Sequence, residues 1–197
     1  MSLRSIMPRL TMLLTALALT GCGLNSVPTA EETAKARWAD VQNEYQRRAD
    51  LVPNLVATVK GYATQEKEVL TQVTEARAKA TSIQVKAEDL GDPAKLQQFG
   101  EAQGSLSQAL GRLLMVTENY PDLKSNQNFL ALQSQLEGTE NRISIARRDY
   151  NAAVQAYNTR IRTFPDAIGA KVFYGAKPMT PFQATAPNAQ TAPTVRF

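Results

Sequence analysis

Apolar residues recur at seven-residue intervals between residues 123 and 164, and this spacing predicts one long helix. One row consists of Phe129, Leu136, Ile143, Tyr150, Tyr157 and Phe164, and a second row three positions later consists of Leu132, Thr139, Ala146 and Ala153. Heptad spacing of this kind is typical of coiled coils and helix bundles. A helix of about 42 residues would be about 63 Å long, so it needs partner helices along its whole length.

The first of three shorter helices is predicted upstream of residue 61. Its apolar row consists of Trp38, Tyr45, Val52 and Val59. Arg48 interrupts a neighbouring apolar row, and residues 29–32 fit a capping box at the start of the helix. Because the apolar spacing continues beyond Pro53, we expect a kink at this proline and an end at Gly61.

The second and third helices are separated by a strong joint. The second, from about residue 63 to about residue 88, has a weaker, alanine-rich stripe. Gly91-Asp92-Pro93 combines a terminator, a cap and a first-turn proline. The third helix has Phe99, Leu106, Leu113 and Tyr120 in one row. Tyr120-Pro121-Asp122 then ends it and begins the long helix.

Helix lengths favour one topology. If residues 31–88 formed a single helix, the long C-terminal helix would extend beyond it without a partner. A turn near Gly61 instead gives three helices of similar length and a fourth that returns along the first. The sequence therefore predicts an all-α fold, an antiparallel four-helix bundle with a very long C-terminal helix. A three-helix arrangement is the alternative.

Composition indicates an ordinary globular protein with little scope for common catalytic chemistry. The 197 residues are 43% hydrophobic and 20% charged, with a formal charge of +4, so nucleic acid is not an expected partner. The chain has no histidine and one cysteine, Cys22. This removes the commonest general base and metal ligand and any intrachain disulfide. We expect no cofactor, no metal site and no enzymatic activity.

The N-terminal residues read as an export signal. Two arginines precede an apolar run that is too short to span a bilayer. The run ends in Leu19-Thr20-Gly21-Cys22, which resembles the bacterial lipobox. Lipidation of Cys22 by acyl chains such as palmitate would anchor the chain stably to a membrane. A plain secretory signal and a short uncleaved anchor are the alternatives.

Five segments are expected along the chain. They are a signal peptide (1–21), a tether (22–30), the helical bundle (31–164), an extension packed on the bundle (165–182) and a disordered tail (183–197). Repeated prolines after residue 164 exclude long helices there. Within the extension, Val172-Phe173-Tyr174 and Phe182 are the side chains expected to pack on the bundle.

Several segments together resemble the LemA family. They are residues 47–56, 59–63, 120–124, 128–129 and 138–143, followed by Ala146-Arg147, Tyr150-Asn151, Val154, Tyr157-Asn158 and Phe164-Pro165. They extend over residues 34–182 in the family's order. The resemblance implies a helical bundle without established enzymatic activity, associated with membrane organisation and membrane-bound proteases. Relatives usually carry an N-terminal transmembrane helix, whereas this chain resembles a lipoprotein.

Polar residues inside these family-like segments are the candidate site. They are Asp50, Asn54, Glu140, Asn141, Arg147, Asn151 and Asn158. If partly buried, they must be paired or hydrogen-bonded. They either form a polar layer that fixes helix register or a recognition or ion site between helices. A third hypothesis is that Glu137 and Glu140 form a hydrolytic pair of carboxylates.

The expected function is that of a non-catalytic, lipid-anchored scaffold or adaptor in the cell envelope. It would lie on the periplasmic side, at the outer membrane where the organism has one. Its expected partners are the membrane, reached through the N-terminal acyl chains, and an envelope protein or a second copy of the chain. A lipid or small-molecule carrier and an envelope hydrolase are the alternatives.

Overall fold

A computed structural model describes residues 25–183. These residues form helices α1 (Ser26–Lys60), α2 (Lys67–Ser82), α3 (Pro93–Thr117), α4 (Pro121–Lys124), α5 (Gln127–Arg160) and α6 (Asp166–Gly169), with a 3₁₀ turn (Ala87–Gly91) and a π-helical turn (Ala170–Tyr174). The expected signal peptide, the lipidation site Cys22 and the expected tail beyond Gln183 lie outside the described residues. Within them, no helix combines the length and the apolar composition that a membrane crossing requires.

Helix α1 begins one turn earlier than the sequence predicts. Thr29, the predicted N-cap, lies inside the helix, and its hydroxyl donates to the carbonyl of Asn25 (2.7 Å). Val27 is buried in the core, so an earlier start places one more apolar side chain there. Pro28 is tolerated because the first turn needs no intrahelical N–H donor.

Pro53 lies within α1 and the helix continues through it to Lys60, as predicted. A proline leaves the carbonyl four residues earlier without its usual N–H partner, which here is the carbonyl of Ala49. Arg77 on α2 donates its Nε–H to this oxygen at 2.7 Å. The hydrogen bond that α1 lacks is therefore replaced by one from a neighbouring helix.

Helix α2 is shorter than expected and ends at Ser82 instead of near residue 88. The chain then becomes extended, and Val85 is buried. The carbonyl of Val85 accepts from Trp38 Nε1 (2.9 Å) and from Gln42 Nε2 (3.1 Å), both on α1. These tertiary hydrogen bonds satisfy the extended backbone and replace the last helical turns of the prediction.

The predicted long helix of residues 123–164 is divided and shortened. Asn126 caps α5, its side chain accepting from the N–H groups of Asn128 and Phe129, so α4 remains a separate turn. Helix α5 has 34 residues and stops at Arg160. Proline disfavours the helical region for the residue before it. Phe164, which precedes Pro165, is accordingly outside the helix and 82% exposed, not in the core.

The fold is all-α, with α1 packed along α5 and α2 packed along α3; α1 also contacts α2. Helices α1 and α5 are antiparallel, because residues later in α1 contact residues earlier in α5. Trp38 meets Tyr150, Arg48 meets Glu140 and, beyond the end of α1, Tyr62 meets Asn126. The C-terminal end of α5 therefore lies beside the start of α1.

Buried apolar side chains form two clusters. The aromatic cluster contains Trp38, Tyr45, Phe99, Tyr150, Tyr157 and Phe182 with smaller neighbours. The aliphatic cluster contains Val52, Leu55, Leu106, Leu113, Leu123 and Leu136, among others, with Phe129 as its aromatic ring. The aromatic cluster lies toward the end where α1 begins, and the aliphatic cluster lies toward the other end.

An extended segment, residues 176–182, covers the aromatic cluster; we call it the strap. Gly175, at φ +54°, connects the π-helical turn to the strap in a left-handed conformation that suits a residue without Cβ. Met179 and Phe182 are buried beneath the strap. Val172, Phe173 and Tyr174, which were expected to pack on the bundle, are exposed.

Candidate functional site: a buried arginine and a clamped strap

Arg48 forms a polar layer between three helices, α1, α3 and α5. Its side chain is 1% exposed. Nη1 donates to Ser107 Oγ (2.7 Å) and to Glu140 Oε1 (2.8 Å), and Nη2 donates to the backbone oxygen (3.0 Å) and Oε1 (2.8 Å) of Gln103. Glu140 is the counterion, and its side chain remains 48% exposed. The layer fixes how α1, α3 and α5 are aligned, because a buried arginine needs these acceptors.

Gln103 extends the layer to α2. It is buried, and its Nε2 donates to the carbonyl of Ala80 (3.1 Å) while its Oε1 accepts from Arg48. A face of the Arg48 guanidinium also lies over the Tyr45 ring, 5.0 Å from the centroid. Arg48 Nε has no protein partner in the described part of the chain.

Two asparagines on α5 hold the strap by its backbone. Asn151 Nδ2 donates to the carbonyl of Phe182 (2.9 Å), and the Phe182 N–H donates to Asn151 Oδ1 (2.7 Å). Asn158 makes the same pair of bonds with Met179, at 2.8 and 2.9 Å. A side-chain amide has one acceptor and one donor group. Each asparagine therefore pairs with both backbone groups of one strap residue, as a neighbouring β-strand would.

The residues before these asparagines complete the clamp. Tyr150 and Tyr157 donate their hydroxyls to the carbonyls of Thr180 (2.9 Å) and Lys177 (3.0 Å). On the other side of the strap, the N–H of Thr180 donates to the carbonyl of Leu90 (2.8 Å) in the 3₁₀ turn. We call Tyr150, Asn151, Tyr157 and Asn158 the clamp.

Spacing explains why two Tyr-Asn pairs fit this strap. Seven residues of α-helix span about 10.5 Å, and three residues of polyproline II span about 9.3 Å. The asparagines are seven residues apart, and their partners Met179 and Phe182 are three apart. Each of these partners follows a proline, Pro178 or Pro181, which has no N–H to satisfy. The heptad of α5 therefore matches a three-residue period in the strap.

Aromatic rings fill the space beneath the strap. Trp38 lies 5.4 Å from Phe99, 5.1 Å from Tyr150 and 6.0 Å from Phe182, measured between ring centroids. Burial raises the pKa of Tyr150, and it also raises the pKa of Tyr45. The pKa of Tyr157 rises because of burial and the nearby Glu31 carboxylate. The phenols of Tyr150 and Tyr157 thus remain protonated and can keep donating to the strap.

The other candidate residues are not brought into one site. Asp50, Asn54 and Asn141 are exposed, and Asp50 accepts from Gln46 on its own helix (2.8 Å). Arg147 is half-buried and lies over the Phe182 ring, 4.6 Å from its centroid. The predicted set therefore divides into the clamp asparagines, the Arg48 counterion Glu140, the strap contact Arg147 and three surface residues.

Sequence reasoning missed Arg48, Gln103 and Arg77 as structural polar residues. The signal for Arg48 was present, because it interrupts an apolar heptad row. No pattern along the chain distinguishes Gln103 or Arg77 from surface residues of their helices. Their roles depend on which helix lies opposite.

The two carboxylates that were considered as a hydrolytic pair, Glu137 and Glu140, are both exposed. Glu137 accepts from Gln133 (3.1 Å) on its own helix, and Glu140 accepts from Arg48. Among residues 25–183, no group of three acidic or cysteine side chains is arranged to hold a metal ion.

A cleft of about 300 Å³ opens beside the Arg48 layer, between α1, α2 and α3. Amide side chains line much of it, including Gln42, Gln46, Gln84 and Gln103, and Tyr45 and Phe99 contribute two aromatic walls. Such a lining suits an uncharged polar molecule with an apolar face.

Curated proteins similar to this chain include Magnetosome protein MamQ 2 of Paramagnetospirillum magneticum, 29% identical over 157 residues. This match covers 72% of the chain and 58% of MamQ 2. Magnetosome protein MamQ of Magnetospirillum gryphiswaldense is 27% identical with the same coverage. Protein LemA of Metamycoplasma hominis is 30% identical over 121 residues, 61% of this chain and 51% of that protein. The chain thus spans little more than half the length of these relatives.

A family comparison covers the part of the chain that contains the Arg48 layer, the clamp and the strap. The sequence model of the LemA family matches residues 37–197. This range includes the Arg48 layer, the clamp and the strap. The chain belongs to the LemA family.

Proposed function

We propose that this protein is a non-catalytic, lipid-anchored helical scaffold or adaptor of the cell envelope. The observation that carries the proposal is the position of α1, which begins at Ser26 and continues for 35 residues. Cys22 precedes it by four residues, which span at most about 14 Å. An acyl anchor at Cys22 would hold one end of a rod about 52 Å long, so its distal end would reach partners away from the membrane.

The internal use of polar side chains supports a structural role. Arg48 binds three helices together, and Asn151 and Asn158 bind the strap. Hydrogen bonds that these side chains form within the protein stiffen the scaffold. We extend this to the bundle itself: the α1–α5 and α2–α3 pairs form one antiparallel four-helix bundle, joined by the Arg48 layer.

The similarity to MamQ supports a role in cellular organisation, since those relatives are named as magnetosome proteins. For this chain we propose the periplasmic face of a membrane, the outer membrane where one exists. The proposed partners are an envelope protein or a second copy of the chain.

Lipidation is tested by Cys22→Ser in the full chain, labelled in bacteria with palmitate. We expect the unaltered chain to be cleaved and labelled, and the variant to remain an unlabelled precursor. A matched control adds Ser26→Cys to Cys22→Ser, which returns a thiol to the chain four residues away. Labelling of Cys22→Ser would contradict the lipid anchor, and labelling of the control would show that the lipobox position is not required.

Photo-crosslinking in intact envelopes tests the scaffold. Met115 and Leu130 are 73% and 49% exposed in the distal half, and Leu106 is buried there. We expect discrete adducts from crosslinkers at the two exposed positions and none from the buried one. The absence of adducts at both exposed positions would contradict a distal contact.

The amide-lined cleft favours a second candidate function, a small-molecule carrier. Native mass spectrometry of gently purified protein discriminates the two. A carrier would retain a stoichiometric ligand, which Gln84→Trp in the cleft wall would displace and Gln98→Trp, an exposed position outside the lining, would not. A scaffold shows no such ligand.

A further inference from the structure

Four large apolar side chains are exposed within a short stretch after α5. They are Phe164 (82% exposed), Ile168 (56%), Val172 (68%) and Phe173 (68%). We call residues 164–174 the foot. Because α6 is followed directly by the π-helical turn, Ile168 and Val172 lie about one turn apart on one helical face. Single exposed apolar residues are normal, but a concentration of this kind marks an interaction surface.

The foot lies at the end of the rod where α1 begins. Helix α6 contacts α1, and Ala170 of the foot belongs to the same buried cluster as Val27, near the start of α1. At the same end, Ile161 and Ala30 both pack on this cluster. The exposed apolar side chains therefore lie at the end of the rod where α1 begins, and α1 begins four residues after Cys22 in the sequence.

Basic residues lie within the foot and next to it along the chain. Residues 160–177 contain Arg160, Arg162, Lys171 and Lys177, with Asp166 as the one acidic residue. Asp166 lies 3.7 Å from Arg160. Arg162, Lys171 and Lys177 are exposed and form no ion pair within the described residues. Apolar side chains rimmed by cations are suited to the interface of a bilayer with anionic headgroups.

We infer that the foot docks on the membrane, inserting its apolar side chains at the level of anionic phospholipid headgroups. This inference rests on the membrane tether of the proposed function, which would hold the foot beside the bilayer. The foot gives the tethered protein a second contact and so fixes the orientation of the rod. A tether alone leaves the rod free to tilt.

Quenching of an introduced indole by brominated acyl chains tests docking. The full chain is reconstituted in vesicles of phosphatidylcholine with or without phosphatidylglycerol, as Phe173→Trp or as the matched control Met115→Trp. Met115 is equally exposed but lies at the distal end. Trp38 is buried and gives both variants the same background.

We expect fluorescence loss for Phe173→Trp in anionic vesicles and none for Met115→Trp. Arg162→Gln or Lys171→Gln should each lower the docked-to-undocked ratio about five-fold. No loss at Phe173→Trp, or equal loss at both positions, would overturn the inference. Crosslinks between foot residues of two copies without quenching would assign the surface to self-association and would also overturn it.

Two further readouts keep the test decisive. Circular dichroism identifies a variant that does not fold, and Val172→Trp then replaces Phe173→Trp. Palmitate labelling reports the anchor separately. A labelled protein without quenching would reject the foot while leaving the anchor intact, and an unlabelled one would reject the proposed anchor.

Discussion

The two buried clusters are closed by different means. In the aliphatic cluster, the side chains of α1, α2, α3 and α5, with those of the short helix α4, cover one another. In the aromatic cluster the helices leave a gap, and the strap fills it with Met179 and Phe182. Ring N–H and O–H groups then form hydrogen bonds with the backbone: Trp38 with Val85, and Tyr150 with Thr180.

This difference shows why the aromatic half needs irregular chain. Large rings keep helices farther apart than aliphatic side chains do, and buried phenol and indole groups require partners. Extended segments supply both volume and backbone acceptors. The aliphatic half has fewer such groups: Tyr120, which packs against it, donates its hydroxyl to Glu66 Oε1 (3.0 Å). Apart from Ala63, its buried side chains come from helices.

The largest expected effect comes from removing a ring. Tyr150→Ala should lower the free energy of unfolding by about 3–5 kcal/mol, because Tyr150 is fully buried and large-to-small changes leave a cavity. Leu113→Ala in the aliphatic cluster should cost about 2–5 kcal/mol. Urea unfolding measures both. Only Tyr150→Ala should also expose the amides of the strap to hydrogen exchange; equal exposure in both variants would remove the distinction between the clusters.

Substitutions in the Arg48 layer should have the next largest effect on the free energy of unfolding. Arg48→Met leaves Gln103 and Ser107 without their donor and should cost about 2–3 kcal/mol. Glu140→Gln should cost less, about 1 kcal/mol, because glutamine keeps an acceptor oxygen for Arg48 and only the charge of a half-exposed carboxylate is lost. A larger loss for Glu140→Gln than for Arg48→Met, measured by urea unfolding, would show that the ion pair rather than the neutral acceptors holds the layer.

A smaller effect is expected from the clamp. Asn158→Ala removes both hydrogen bonds to Met179 and should cost about 1–2 kcal/mol. Hydrogen exchange of the Met179 amide should accelerate. The matched control is Asn141→Ala, an exposed position on the same helix, which should change neither quantity. Unchanged exchange in Asn158→Ala would mean that the buried rings alone hold the strap.

The smallest effect is a pH dependence that comes from a buried phenol of the aromatic half. The folded-state pKa of Tyr150 is raised by burial above its ordinary value of 10.0. The unfolded chain therefore releases this proton first, and stability is lost as pH rises above about 10, by at most about 1.4 kcal/mol per pH unit. Tyr150→Phe should reduce the slope of unfolding free energy against pH, and Tyr62→Phe, at a 44% exposed position, should not. Equal slopes in all three proteins would contradict the buried-phenol explanation.

Heptad spacing was sufficient to predict the helices and most of the core. Tyr150, Tyr157, Leu136 and Ile143 are buried as their spacing predicts. The Gly91-Asp92-Pro93 joint is also confirmed, since Asp92 caps α3 with Pro93 in its first turn. These features are local, because helical periodicity and capping depend on residues within one or two turns.

The predictions from the sequence were wrong where residues distant along the chain decide the local structure. The extended backbone at Val85 depends on Trp38, and the early start of α1 follows from a place in the core for Val27. The exposed Phe164 continued the heptad in sequence but lies beyond the end of the helix.

By itself, the sequence determined that the chain is helical, where apolar faces lie and that Pro53 leaves the Ala49 carbonyl without its usual donor. Only the tertiary structure decided that Arg77 supplies this donor, that Arg48 joins three helices and that two asparagines clamp the strap. The physical reason is range. Periodicity is encoded between neighbouring residues, whereas the partner of a buried polar group is chosen by helix packing.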